Sequence, residues 1–136
     1  PEIRSALRDY GMALGTAYQI YDDCLDLFGT EALAGKSLGT DLAKGKITLP
    51  LLIILEQGSP EDQEQLRNLI KLWDGNSFPE LLHLLKKYES LARSRTVIQD
   101  YLNTARESLA AVPLSAGRVA LHELTDYLER LTMALE

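Results

Sequence analysis

From residue 3 to residue 21 the apolar side chains Ile3, Leu7, Tyr10, Leu14, Ala17 and Tyr21 recur at intervals of three and four. That spacing returns side chains to one face of a 3.6-residue turn, so it predicts a helix over about residues 2–28, buried along one side. Gly11 and Gly15 interrupt it at a cost of roughly 1 kcal/mol each against alanine. Their spacing of four places both on one face, where the missing side chains let another helix or a ligand come close. No convincing period-two alternation appears anywhere in the chain, which therefore reads as all-α.

The following stretch, "GTEALAGKSLGTDLAKGKIT", is too polar and too broken by glycine for a long helix. It predicts a loop with at most a short helical turn near Leu42, and loops of this composition tend to carry function. "TLPLLIILEQG" reads as a short buried helix with Thr48 as cap, Pro50 in its first turn and Gly58 as its stop. Ser59, Pro60 and Asp62 start a helix over "PEDQEQLRNLIKLW", which "DGNS" at 74–77 ends. Ser77 and Pro79 open another, "PELLHLLKKYESLA". A long helix over roughly 94–111 carries Val97, Tyr101, Leu102, Ala105 and Leu109 on one side and ends at Pro113. Ser115 begins the last, "AGRVALHELTDYLERLTMAL". The whole is expected to be a single all-helical segment, 1–136.

Composition excludes several classes of function. A formal net charge of −6 opposes a general nucleic-acid binder, which needs a basic field to displace counterions. An anionic small molecule is repelled too, unless a metal ion intervenes. One cysteine, Cys24, excludes an intrachain disulfide framework, leaves a cysteine zinc site unsupported, and fits a reducing compartment, cytoplasmic or an organelle interior. No apolar run approaches the ~20 residues that span a bilayer. The chain enters a helical pattern at Pro1 with no leading methionine, as a piece of a longer protein would.

Against that background "YQIYDDCLDLFGT" puts Asp22, Asp23 and Asp26 into little more than one turn of an otherwise oily helix. Asp22 and Asp26 share a face, ~5–6 Å apart, and like charges at that spacing destabilise an isolated helix by ~0.2–0.5 kcal/mol. Local helix stability therefore does not explain them. An acidic pair near a helix end is ordinarily just solvated, but a divalent cation would account for this one. Magnesium is held by one or two carboxylates plus waters and completes its shell with substrate phosphates. Downstream, "GKSLGTDLAKGKITLP" sets Lys36 and Lys46 beside glycines that let backbone approach a bulky anion. Acid cluster and basic loop together suit a magnesium-bridged diphosphate, with the lysines as point-charge phosphate binders.

These residues resemble the trans-prenyltransferases, the polyprenyl or isoprenyl diphosphate synthases. The second aspartate-rich motif of that family reads approximately G-x-A-F-Q-I-x-D-D-x-L-D, followed by G-K-x-x-G-x-D-L-x-x-G-K-x-T-L-P. The chain has "GTAYQIYDDCLD" and then "GKSLGTDLAKGKITLP" at matching spacing over residues 15–50, with Tyr18 in place of the usual phenylalanine. "AAVPLSAGRVALHELTDYLERL" looks like the family's closing helix, through weaker motifs.

The resemblance implies the C-terminal part of the isoprenoid synthase fold, an all-helical bundle. The reaction it implies is transfer of an allylic prenyl group to isopentenyl diphosphate in isoprenoid biosynthesis. Asp22 is then the leading magnesium ligand, Asp26 assists it and Asp23 orders the metal's waters. Gln19 hydrogen-bonds near the allylic diphosphate, Lys36 and Lys46 contact its oxygens, and Asp41 holds those lysines in place. The family's first aspartate-rich motif and its isopentenyl diphosphate binders lie upstream of this segment. The expectation is therefore half an active site, working as a homodimer or in association with the N-terminal half. The alternative is a non-catalytic small subunit that regulates a synthase. A terpene cyclase would share the acids but not "GKITLP" after "GKSLGTDL". The other residues read as structural: His83 and His122 as surface or core-edge positions, Cys24 and Trp73 as packing, and Leu81, Leu82, Leu84 and Leu85 as helix-packing core, although an apolar tunnel for a prenyl tail would use the same residue types.

Overall fold

The computed structural model describes residues 1–30 and 38–135, and every regular element among them is helical. In chain order these are α1 (Glu2–Phe28), α2 (Thr40–Ala43), α3 (Leu49–Gln57), α4 (Pro60–Lys71), α5 (Phe78–Lys87), α6 (Ser90–Ser108) and α7 (Ala116–Met133), with single 3-10 turns at Gly75–Ser77 and Leu109–Ala111. None of these helices is long and apolar enough to cross a membrane. The contacts resolve two compact units, residues 1–21 with 95–135, and residues 22–94.

The first unit is built from small residues. Ala6, Tyr10 and Ala13 of α1 meet Ala105 of α6, Leu109 of the 3-10 turn after it, and Val112. The buried stripe of α1 is Ala6, Tyr10, Ala13, Ala17 and Tyr21, while Ile3 and Leu7 stay 45% and 41% exposed. Of the expected stripe Tyr10, Ala17 and Tyr21 are buried and Leu14 is half-buried; in place of Ile3 and Leu7 the stripe takes Ala6 and Ala13, whose small side chains let the helices approach. Tyr10 ties α1 to α7, donating its hydroxyl to the Leu121 carbonyl at 2.7 Å and lying 3.2 Å from Thr125 Oγ1. Arg106 of α6 bridges Asp126 and Glu129 of α7 at 2.9 and 3.0 Å. Arg95 donates to the carbonyl of Thr132 at 3.2 Å, an acceptor near the end of α7 that the Leu135 N–H also reaches at 3.3 Å. The buried apolar positions are Ile98, Leu102 and Ala105 on α6 and Leu109 in the turn that follows, whereas Tyr101 is exposed.

The second unit has the larger aliphatic core. Leu27, Leu42, Leu51, Ile54, Leu66, Leu69, Leu81, Leu84 and Leu85 form one cluster, flanked by Phe28, Trp73 and Tyr88. Each buried leucine or isoleucine there contributes about 1.5–3 kcal/mol of transfer free energy. Leu81, Leu84 and Leu85 of α5 are thus core, and Leu82 packs against it partly buried. Helix α3 starts at its expected place, but the Thr48 side chain makes no cap bond. Its carbonyl instead accepts from the N–H groups of Leu51 and Leu52. Helix α4 has the expected side-chain cap, Ser59 Oγ accepting from Asp62 N at 3.1 Å.

One boundary differs from the sequence expectation. "YESLA" does not continue α5; the chain breaks at Tyr88 and Glu89, the latter at φ 53°, and Ser90 already begins α6. No glycine or proline marks the break. Tyr88 is held from outside its helix, its hydroxyl donating to Asp62 Oδ2 and accepting from Ser59 N at 3.0 Å. Those contacts outweigh a local sequence that favours continued helix.

Candidate metal and diphosphate site

The three aspartates occupy the last turns of α1, and the fold treats each differently. Asp22 is half-buried, and no hydrogen bond or ion pair occupies its carboxylate among the described residues. Asp23 is 8% exposed and Asp26 is fully buried. A buried carboxylate must be matched by donors, and Asp26 finds them in the loop. Its Oδ1 accepts from Thr40 Oγ1 at 2.8 Å and Thr40 N at 3.2 Å, and its Oδ2 accepts from Asp41 N at 3.1 Å. Its carbonyl accepts from Gly39 N at 2.9 Å. The N–H groups opening the short helix α2 are thereby satisfied by an anion, the favourable sign at a helix start.

Gly39 makes this approach possible. Its φ of 79° lies in the left-handed region, and a Cβ there would sit 3.0 Å from Trp73 and 3.3 Å from Phe78. Beyond α2 the chain reverses through Gly45 at φ 74°. Lys46 N then donates to the Asp41 carbonyl at 2.8 Å. The reversal returns the Lys46 side chain to the acids, with Nζ 3.5 Å from Asp23 Oδ1.

Of the residues singled out in the sequence, the fold therefore brings together Asp23, Asp26, Asp41 and Lys46, with Asp22 beside Asp23 on α1. Asp41 does link to Lys46, but through its main-chain carbonyl, not its carboxylate. Asp26 turns its oxygens to the loop. Gln19 is exposed on α1 within the first compact unit. Lys36 lies outside the described residues. Among the described residues no group of three or more His, Cys, Asp or Glu side chains converges to hold a metal ion. Cys24 is buried and His83 is exposed, as expected of packing and surface residues. Sequence reasoning passed over Thr40, which supplies two of the donors to Asp26. Its signal was the polar "GTD" opening of a helical turn, a helix-start pattern.

The same unit holds a second ionic cluster. Asp62 Oδ2 accepts from Lys87 Nζ at 2.7 Å as well as from Tyr88. These two donors hold the Asp62 carboxyl below its ordinary value, against the opposing effect of burial. The same contact raises the Lys87 ammonium. With every partner inside the network, it reads as a clamp between α4 and the end of α5.

Comparison with known proteins gives the arrangement its context. The short chain isoprenyl diphosphate synthase of Methanothermobacter thermautotrophicus is 35% identical over 131 residues, covering 96% of this chain and 40% of that protein. The octaprenyl diphosphate synthase of Escherichia coli is 36% identical over 122 residues, 89% of this chain and 38% of its own length. A crystal structure of polyprenyl synthase from Caulobacter crescentus, complexed with calcium and isoprenyl diphosphate, matches at a TM-score of 0.81 and 36% identity, over 92% of this chain and 39% of that one. The chain thus spans about two-fifths of the length of these relatives. The profile of the polyprenyl synthetase family matches residues 1–88, a segment that holds the aspartates, the lysine loop and the greater part of the second unit: this chain belongs to the polyprenyl synthetase family.

Proposed function

We propose that this chain is the diphosphate-handling part of a trans-prenyltransferase that condenses an allylic diphosphate with isopentenyl diphosphate in isoprenoid biosynthesis. The observation that carries the reading is the return of Lys46 to within 3.5 Å of Asp23 through a loop pinned on Asp26. An acid pair and a cation brought together at the end of one helix suit a ligand that is itself a metal and an anion.

The donor set fits magnesium. Asp22 offers a half-exposed carboxylate of hard oxygens and Asp23 a second beside it, and magnesium typically takes one or two carboxylates and keeps several waters. When bound, the ion would neutralise charge developing on the diphosphate oxygens as the allylic carbon–oxygen bond breaks. In this reading Asp22 is the direct ligand and Asp23 shares its task with Lys46. Lys46 places a positive charge where the leaving group accumulates a negative one, and Lys36 of the same loop would add a second. Such fixed charges stabilise a developing anion without reorganising. Gln19, one turn before Asp22, would hydrogen-bond to the allylic diphosphate. Asp26 is a positioning residue: its carboxylate is spent on Thr40 and Asp41, and what it does for the reaction is hold the lysine loop. Asp41 extends that hold to Lys46 through its peptide group.

The active assembly in this reading includes the upstream portion of the synthase, in a homodimer in the cytoplasm. The test restores that portion and assays the product with isopentenyl diphosphate, an allylic primer and magnesium. Turnover is expected to depend on magnesium and to fall by at least about a hundredfold, 2.7 kcal/mol, in Asp22→Asn. A restored enzyme indifferent to Asp22→Asn would overturn the assignment.

A further inference from the structure

Residues 39–46 form a closed hydrogen-bonded unit. The carbonyl of Gly39 accepts from Ala43 N at 3.1 Å and that of Thr40 from Lys44 N at 3.2 Å. The carbonyl of Asp41 accepts from Lys44 N and Lys46 N at 3.2 and 2.8 Å, and that of Leu42 from Gly45 N at 2.9 Å. Each carbonyl in the first half is thus engaged by the second half, so the unit moves as one piece and its tilt is set where the chain enters it, at Gly39. Glycine by itself fixes no tilt, because it populates positive φ about as readily as negative. The polar anchors of this entry, from Gly39 N, Thr40 and Asp41 N, all converge on Asp26. A piece tied at one residue can still swing about it.

A second support arrives from further along the chain. Trp73, just after α4, and Phe78, at the start of α5, are half-buried and meet edge to face, with ring centroids 5.9 Å apart and planes inclined at 62°. The connector between them is itself pinned: Asp74 accepts from Asn76 N at 2.6 Å through its carboxylate and from Ser77 N at 3.0 Å through its carbonyl. Both rings press on Gly39. A Cβ there would stand 3.0 Å from Trp73 Cζ2 and 3.3 Å from Phe78 Cε2, so the rings come as close as a glycine at φ 79° permits. Trp73 also packs against the core that holds Leu42, the buried residue of the loop unit.

We propose that Trp73 and Phe78 are positioning residues for diphosphate binding: their paired rings buttress Gly39 and, through the unit 39–46, set where the Lys46 ammonium meets the leaving group. The inference rests on the functional reading above and adds to it a support outside the aspartate and lysine motifs. Hydrogen bonds to Asp26 fix where the loop attaches, and contact with the rings fixes how it leans. Such contact is short-ranged, an opening of about 0.5–1 Å forfeiting roughly a quarter to a half of the attraction. A leucine in place of either ring would therefore release Gly39 while still filling much of the volume.

The experiment titrates magnesium pyrophosphate calorimetrically into the synthase with its upstream portion restored. The proteins compared are the parent, Phe78→Leu and Trp73→Leu, each with and without Lys46→Ala. With Lys46 in place, either leucine substitution should weaken binding about fivefold, whereas in the Lys46→Ala background it should change affinity by less than about twofold, because the lysine whose place it sets is gone. Trp73→Phe, which keeps a ring, should stay within about twofold of the parent. Amide exchange of Ala43, Lys44 and Lys46 should be faster in both leucine variants. Phe78→Leu carries the comparison if Trp73→Leu does not fold. Equal losses with and without Lys46 would make the rings ordinary core packing and overturn the proposal. So would leucine variants that bind as the parent does, an outcome that leaves the functional reading standing. A parent that takes up no magnesium pyrophosphate sinks the functional reading, and the positioning role with it.

Discussion

Asp26 and Asp41 meet through carboxylate and peptide: Oδ2 of Asp26 accepts the Asp41 N–H at 3.1 Å, while the carbonyl of that same Asp41 accepts the N–H of Lys46 at 2.8 Å. A buried side chain of α1 thereby fixes where a lysine twenty residues later emerges.

Asp26→Ala strands the donors of Thr40 and Asp41 next to an apolar core. Leaving buried donors unmatched costs about 1–3 kcal/mol, and urea unfolding should show a loss of that size. Amide exchange of residues 39–46 should speed up more than that of α5. Equal acceleration everywhere would mean that the pin is not local.

Lys46→Ala should separate stability from binding. The Lys46 side chain is 51% exposed, and ion pairs of that kind contribute about 0–1 kcal/mol. The urea midpoint should hardly move, while the restored synthase should bind allylic diphosphate about tenfold more weakly, 1.4 kcal/mol. Calorimetric titration at constant magnesium measures the second quantity. A large fall in the midpoint with unchanged binding would return Lys46 to a structural role.

The clamp of Asp62 and Lys87 sets two pH limits. Asp62 is held below its ordinary 3.8 by Lys87 and Tyr88, so it binds fewer protons folded than unfolded. Its contribution to stability is complete above about pH 4 and is lost as the pH falls through the lower folded value. Lys87 is raised above its ordinary 10.5 by Asp62. Its contribution is complete below about pH 10.5 and is lost as the pH rises through the higher folded value. Urea midpoints should therefore decline at both extremes, and Asp62→Asn should flatten both limbs. Limbs of unchanged steepness would place the titrating groups elsewhere.

Leu84→Ala removes a side chain only 1% exposed at the centre of the second unit's core. Deletions of this kind cost about 2–5 kcal/mol. The mutant should lose its cooperative thermal transition or melt well below the parent, as followed by circular dichroism. A loss under 1 kcal/mol would indicate that the surrounding leucines collapse into the space.

Helix starts were the most legible part of the sequence, because caps are local. Ser59 and Ser115 accept from Asp62 N and Arg118 N as their positions implied. The break at Tyr88 and Glu89 was not legible, since what enforces it is Asp62 and Ser59, some thirty residues away along the chain. The buried face of α1 was legible at Tyr10, Ala17 and Tyr21 and misread at Ile3 and Leu7: periodicity weights those two over Ala6 and Ala13, but close approach between helices favours the smaller side chain. At the candidate site the residue types and spacings announced acids and lysines. The division of labour among Asp22, Asp23 and Asp26 depends on where the loop returns, which Gly39 and Gly45 decide through backbone conformations that no periodicity encodes.

The crowding of Gly39 against Trp73 has an optical consequence. Trp73 is the only tryptophan in the chain, and its ring lies 3.0 Å from where a Cβ on Gly39 would stand, one residue before the Thr40 that Asp26 holds. Indole emission responds to small changes in its surroundings, so the protein carries a native fluorophore wired to the lysine loop. Rearrangement of that loop around an incoming anion would register in the emission spectrum without any dye or label.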